Sequence, residues 1–241
     1  MDPGRAEAAA VRREASSCMP TQTSRIPVLG LVGGIGSGKS FLARGLAARR
    51  NVVIVDADRI GHAVLNLESL RKPLRDRFGA IFLPHGEVDR RALAQLVFGP
   101  TPAHAAARAD LERLVHPQIR SRLQSEIERA RAANVAEAVL LDAPLLLEAG
   151  WDALCDAVVF VDCDEVERRA RVRRDRGWSD DEFQFRESSQ WPLARKHAAA
   201  DLIVTSSPDL RLMLDPLEAW IDAYRVSSSS STPSGMPHDL S

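Results

Sequence analysis

Cysteine, tyrosine and long apolar runs are all scarce in this chain. Its three cysteines, Cys18, Cys155 and Cys163, cannot all pair, and their spacing matches no metal motif. They read as buried or free thiols of a reducing compartment. No stretch approaches the roughly 18 apolar residues of a membrane span, so no membrane partner is expected. Residues 1–25 lack the apolar core of a secretory signal, which implies a cytoplasmic protein. Neither sign of charge dominates: 32 Lys and Arg against 33 Asp and Glu leave a net charge of −1, which removes any global case for nucleic acid. Internal repeats are absent, and nothing points to an obligate protein partner.

What is present is ordinary for a globular domain, with 45% hydrophobic and 27% charged residues. The ends differ from the middle. Residues 1–25 carry no amphipathic period, and 226–241 are rich in serine and proline, so both are expected to be disordered tails around a folded unit of 26–225. Within it, Val28–Val32, Val52–Val55, Ala138–Leu141, Ala157–Val161 and Leu202–Val204 are short, nearly continuous apolar runs. Strands buried on both faces look like this, and their alternation with helical stretches predicts an α/β fold around a parallel sheet. The long interval between the second and third runs holds Leu70–Phe78, Arg91–Phe98 and Ala103–Ala133, all helical in period. A helical insertion over about 66–135, at the carboxyl end of the sheet, is the resulting expectation.

Gly33 to Ser40 fits the phosphate-loop pattern G-x-x-x-x-G-K-[ST] without a gap. A strand precedes it and a helix starting near Phe41 follows. Glycines let backbone N–H groups face phosphate, and the helix N-terminus adds partial positive charge. Gly34, Ile35, Gly36, Ser37, Gly38, Lys39, Ser40 and Phe41 are thus the candidate ATP contacts. Lys39 would reach the β- and γ-phosphates, and the Ser40 hydroxyl would bind Mg²⁺.

Three acids stand where strands end. Asp56 and Asp58 follow the second run; either can hold a metal-bound water or accept a hydroxyl proton, and Asp58 is the better base. Asp56 equally suits an N-cap for the helix starting near Arg59. Asp142 either supports Mg²⁺ through water or caps the segment at Pro144. Arg168, Arg169, Arg171, Arg173, Arg174 and Arg176 crowd one helical stretch. Guanidinium groups there can form a lid over the transferring phosphate, while some are surface only. No aromatic residue interleaves with them, which disfavours nucleic acid. Spacing alone assigns no role to His62 or His116, and Pro117 is expected to bend its helix.

Taken in order, these elements resemble dephospho-CoA kinase. The likeness spans most of 28–205 and rests on the phosphate loop, Asp56-Ala57-Asp58 with His62, Asp89-Arg90-Arg91-Ala92-Leu93, His116-Pro117, Pro144-Leu145-Leu146-Leu147-Glu148, Gln190, Lys196 and Ala200-Asp201. The resemblance implies a P-loop nucleotide-kinase core, a helical acceptor-binding insertion and an arginine-rich lid over about 164–190. It implies transfer of the ATP γ-phosphoryl group to the 3′-hydroxyl of dephospho-CoA, with ATP and Mg²⁺ required and Asp58 as base. Asp56, His62, His116, Pro144, Leu145 and Glu148 fall where such enzymes shape the acceptor site. Aligning the lid on Arg174-Asp175 gives Arg174 the phosphate, with Ala170 at the companion position between Arg169 and Arg171; which arginine meets phosphate stays open. Thr205-Ser206-Ser207 replaces an Asn expected near adenine, and Phe41 replaces a small residue after Ser40.

Overall fold

The computed structural model describes residues 26–79, 81–83 and 85–229. The expectations for residues 1–25 and 230–241 lie outside the described residues. Five parallel strands, β1 (Val28–Gly33), β2 (Val52–Asp56), β3 (Ala138–Asp142), β4 (Ala157–Asp162) and β5 (Leu202–Thr205), form one sheet in the order β2-β3-β1-β4-β5. Each apolar run found in the sequence is one of these strands. Every strand ends one residue later than its apolar run, because the ladder needs only backbone groups and carries on into the polar residues that begin the loops.

Helices cover both faces, as an all-parallel sheet requires. On one face, α1 (Lys39–Arg49) and α9 (Leu210–Ser229) bury Leu42, Leu46, Met213, Leu217 and Ile221 against Leu29, Leu31 and Val159. The other face packs against α2 (Ala57–Val64) and α5 (Pro102–Ala133) through Ile60, Val64, Ile119, Leu123 and Ile127. Between α2 and β3 the chain forms α3 (Glu68–Phe78), α4 (Arg90–Val97) and α5, the helices expected over about 66–135. Asp89 starts α4 by accepting from the N–H groups of Arg91 and Ala92, and Thr101 starts α5 by accepting from His104.

The helix α5 is continuous across Pro117, where burial of its apolar stripe offsets one missing N–H. One expectation needs correction. At the other end, α9 continues past residue 225 to Ser229, where a disordered tail was expected. The Ser227 hydroxyl donates to the carbonyls of Ala223 and Tyr224, and so turns back onto the preceding turn of the helix. Cys155 and Cys163 are free thiols, and burial pushes the Cys155 thiol up to about 12, which keeps it protonated and inert. No helix among the described residues is long and apolar enough to cross a membrane.

The lid stretch folds as a helical hairpin, α6 (Glu165–Arg176) and α7 (Asp180–Ser188), followed by the short α8 (Leu193–Ala198). Asp164 and Ser179 cap the two long arms by accepting from Val166 N–H and Glu182 N–H. All loops that matter for chemistry leave the carboxyl ends of the strands, where an open α/β sheet binds ligands.

Candidate active site

Between β1 and α1 the chain forms a tight loop that needs its glycines. Gly36 has φ 77°, and a Cβ there would lie 2.8 Å from the Arg168 carbonyl oxygen. The Lys39 ammonium folds back over this loop and donates to the carbonyls of Gly33 (3.1 Å) and Gly34 (3.0 Å). Burial lowers its pKa to about 8; Asp142 opposes that shift, and Lys196 and Arg176 add to it. Ser37 Oγ is buried with no hydrogen-bond partner among the described residues. A glycine loop leading into a helix N-terminus, with a lysine over its carbonyls and an unpartnered hydroxyl, fits a chain of phosphates.

The acids lie on neighbouring elements beside this loop. Asp142 ends β3 in register with Leu31 of β1 and Asp56 of β2. Its Oδ2 accepts from the Ser40 hydroxyl at 2.6 Å, so it faces the phosphate loop and does not cap the Pro144 segment. This pair offers two hard oxygen donors and suits Mg²⁺, which keeps most of its shell as water and phosphate oxygen. Asp56 does cap α2: its Oδ1 accepts from Arg59 N–H at 2.9 Å. Asp58 lies in the first turn of α2 and is open to the water of the cleft. Surrounding protein, then the charges of Asp56 and Asp142, still push its carboxyl above the ordinary 3.8, with His62 and Lys39 opposing. The sheet order matters here. β3 separates β2 from β1, so Asp58 reaches the loop's neighbourhood through the turn into α2 and not from an adjacent strand.

A cleft of about 990 Å³ opens from the phosphate loop toward the helical insertion. Asp56, Asp58, His62, His116, Pro144 and Leu145 all line it, as do Phe41 and Arg44 of α1. The His116 ring meets Trp151 edge-on at 5.3 Å, and burial holds its imidazole below 6.5. Glu148 differs from the expectation. It does not line the cleft; its carboxylate accepts from Trp191 N–H at 2.9 Å and pairs with buried Lys196 at 2.8 Å. The turn after Pro144 carries Glu148 inward behind Leu145, where a buried ammonium holds it.

Packing sorts the arginines. Arg168 is buried: it donates to Ile35 O at 3.2 Å and Cys163 O at 3.2 Å, and pairs with Glu187 of α7. Its guanidinium passes so close to Gly34 that a Cβ there would lie 2.6 Å away. Arg171 donates to Gly36 O and Ser37 O at 3.3 Å and to Ser206 Oγ at 3.0 Å. Arg169 and Arg173 turn to Asp180 of α7. Arg171, Arg174 and Arg176 line the cleft; among the described residues Arg174 pairs with its exposed neighbour Asp175, at 2.7 Å, and Arg176 lies over the Trp178 ring at 4.9 Å. Ser207 and Pro208 line the cleft next to Ser206, the partner of Arg171, so the Thr205-Ser206-Ser207 segment borders the site.

Some lining residues carried no sequence signal. Arg186 stacks over Trp178 at 4.2 Å and Phe98 at 5.5 Å, which joins lid to insertion, and nothing local announces a contact between residues so far apart. Arg108 was legible in principle, since Arg108, Leu111, Val115 and Ile119 share one helical face of α5.

Comparison with known proteins agrees with this geometry. A family model described as dephospho-CoA kinase matches residues 27–211. A dephospho-CoA kinase of Parasynechococcus marenigrum is 37% identical over 180 residues, covering 74% of this chain and 87% of that protein. One from Rhizobium meliloti is 35% identical over 200 residues, covering 83% and 98%. Among solved structures, TT1252 from Thermus thermophilus superposes with a TM-score of 0.69 at 30% identity, covering 83% of this chain and 98% of that one. The dephospho-CoA kinase from Campylobacter jejuni shares the fold, with a TM-score of 0.54 at 20% identity over 81% and 97%.

Proposed function

The chain belongs to the dephospho-CoA kinase family, and from that premise we propose how its own residues carry out the ATP-dependent phosphorylation of dephospho-CoA, the final step of coenzyme A biosynthesis. Asp58 is the base. It accepts the proton of the ribose 3′-hydroxyl as that oxygen attacks the γ-phosphorus, and the leaving group is ADP. The observation that carries this assignment is the carboxylate's place: in the cleft with the phosphate loop, with its pKa raised by the protein around it and by two acidic neighbours. Asp56 is needed mainly to start α2 and so to hold Asp58 in position.

Phosphoryl transfer asks for alignment and charge compensation more than for covalent chemistry. Lys39 leaves the carbonyls of Gly33 and Gly34 and follows the charge that gathers on the transferring group. Arg174 and Arg176 are the lid cations assigned to that group: both line the cleft, Arg174 beside Asp175 and Arg176 over Trp178, whereas Arg168 and Arg171 are committed to loop carbonyls. Ser40 would hold Mg²⁺ with Asp142 behind it, and the ion would neutralise β- and γ-phosphate oxygens. Pro144, Leu145, His62 and His116 shape the acceptor side.

Two measurements test this reading. ADP release should depend on dephospho-CoA in a panel of alcohols and nucleotides; equal turnover of an unrelated acceptor would overturn the acceptor assignment. Asp142→Asn should raise the Mg²⁺ concentration needed for half-maximal rate by about tenfold, in line with the loss of one supporting contact to a bound metal. An unchanged Mg²⁺ titration would remove Asp142 from the metal's surroundings.

A further inference from the structure

The end of α7 touches both halves of the cleft through two buried cations. Glu187 pairs with Arg168, which donates to Ile35 O of the phosphate loop. Gln190, whose N–H donates to Glu187 O at 3.0 Å, offers its Oε1 to Lys196 Nζ at 2.9 Å. That same ammonium is fully buried; it donates to Pro144 O at 3.3 Å and pairs with Glu148 Oε1 at 2.8 Å. Pro144 and Gln190 line the cleft, and Lys196 lies behind them.

An ion pair in such a place is a poor device for stability alone, because desolvation offsets its attraction and apolar residues would fill the space as well. This cluster is also imperfect as a structural element: Glu148 Oε2 is buried with no partner among the described residues. What the ammonium does achieve is directional. Its donors join the carbonyl of the acceptor-side loop to the side chain that ends the lid.

We propose that Lys196 is a positioning residue for the transfer: it holds the acceptor-side loop at Pro144 in register with the Glu187–Gln190 end of the lid, which Arg168 holds to the phosphate loop. Donor and acceptor are thereby spaced through one short segment. The inference rests on the kinase reading above. Small misplacements of reacting groups cost orders of magnitude in rate, so a fixed spacing has a direct consequence for turnover.

The test uses full-length protein with ATP and dephospho-CoA varied in turn. Lys196→Met removes the charge and keeps most of the side chain's length; Gln190→Met removes only the lid-side acceptor. Each should raise KM for dephospho-CoA by about tenfold and lower kcat, with KM for ATP within about twofold, the size expected for one lost hydrogen bond to a charged group. Gln190→Glu, which restores an acceptor oxygen, should return KM toward wild type. The double variant Lys196→Met/Gln190→Met should lose no more than the worse single one, because the two act through one link. Additive losses would mean that Gln190 meets substrate by itself, and an unchanged acceptor KM in Gln190→Met, or equal rises for both substrates, would likewise overturn the proposal. Where Lys196→Met does not fold, Lys196→Gln, which keeps donors, takes its place in the cycle. Wild-type turnover of dephospho-CoA in the same assay tests the kinase reading separately.

Discussion

Asp58→Asn is expected to lower kcat by about 10² to 10⁴, the usual range for a lost general base, with ATP affinity close to wild type. The amide keeps the carboxylate's shape and loses its capacity to take the hydroxyl proton. The same substitution should stabilise the fold at neutral pH. Asp58 has a folded-state pKa above its ordinary 3.8, chiefly because the surrounding protein removes part of its water and then because of Asp56 and Asp142. A group raised in this way favours the folded state below its unfolded pKa and loses that contribution as pH climbs through the folded value, so at neutral pH its charge is a cost. A melting temperature above wild type together with a dead kcat is therefore the expected pair of results. Asp56→Asn should act differently. Asn also caps helices, so turnover should fall much less, and loss of the Asp56 charge should move the acid limb of the pH–rate profile to lower pH. If Asp56→Asn is the inactive variant and Asp58→Asn stays fast, the base has been assigned to the wrong carboxylate. Should both lose ATP binding in preference to turnover, the pair supports metal and neither is the base.

Lys39→Ala is expected to reduce kcat by about a hundredfold or more, roughly 3 kcal/mol of transition-state stabilisation, while the protein stays folded. Retention of near-wild-type kcat would take the loop lysine out of the mechanism. A second, quieter signature follows from its pKa of about 8 in the ligand-free loop. Above that pH the amine is increasingly neutral, and nearby phosphate must draw a proton onto it. ATP binding should thus take up protons near pH 8, measurable by titration calorimetry in buffers of different ionisation enthalpy, and the uptake should vanish in Lys39→Ala. Proton uptake that persists in the variant would belong to another group.

Much of the core was legible because its signals are local. A buried parallel strand is a short apolar run, a phosphate loop is a fixed spacing of glycines before a lysine, and a cap is an acid or hydroxyl at a helix start. Thus all five strands, the loop and the helices over about 66–135 were readable in the sequence, while Asp56 stood equally open to a cap and to a chemical role. The tail boundary failed for a related reason: serine composition argues against helix in isolation, whereas α9 already has a buried stripe at Leu214, Leu217 and Ile221 from which to extend.

The sequence by itself determined the fold class, the phosphate-loop motif and the identity of the acids and arginines from which the proposed chemistry is drawn. Which of those groups meet was decided only by the tertiary structure. Strand order put β3 between β1 and β2, and so gave Asp142 to Ser40 and left Asp58 to reach the cleft from α2. Helical rotation and the packing of α6 against the loop and α7 buried Arg168, committed Arg171 to loop carbonyls and left Arg174 and Arg176 toward the cleft. The turn after Pro144 took Glu148 inward to Lys196. These outcomes depend on contacts between residues far apart in the chain, whose pairing is set by the closure of the whole core and leaves no periodicity in either segment alone.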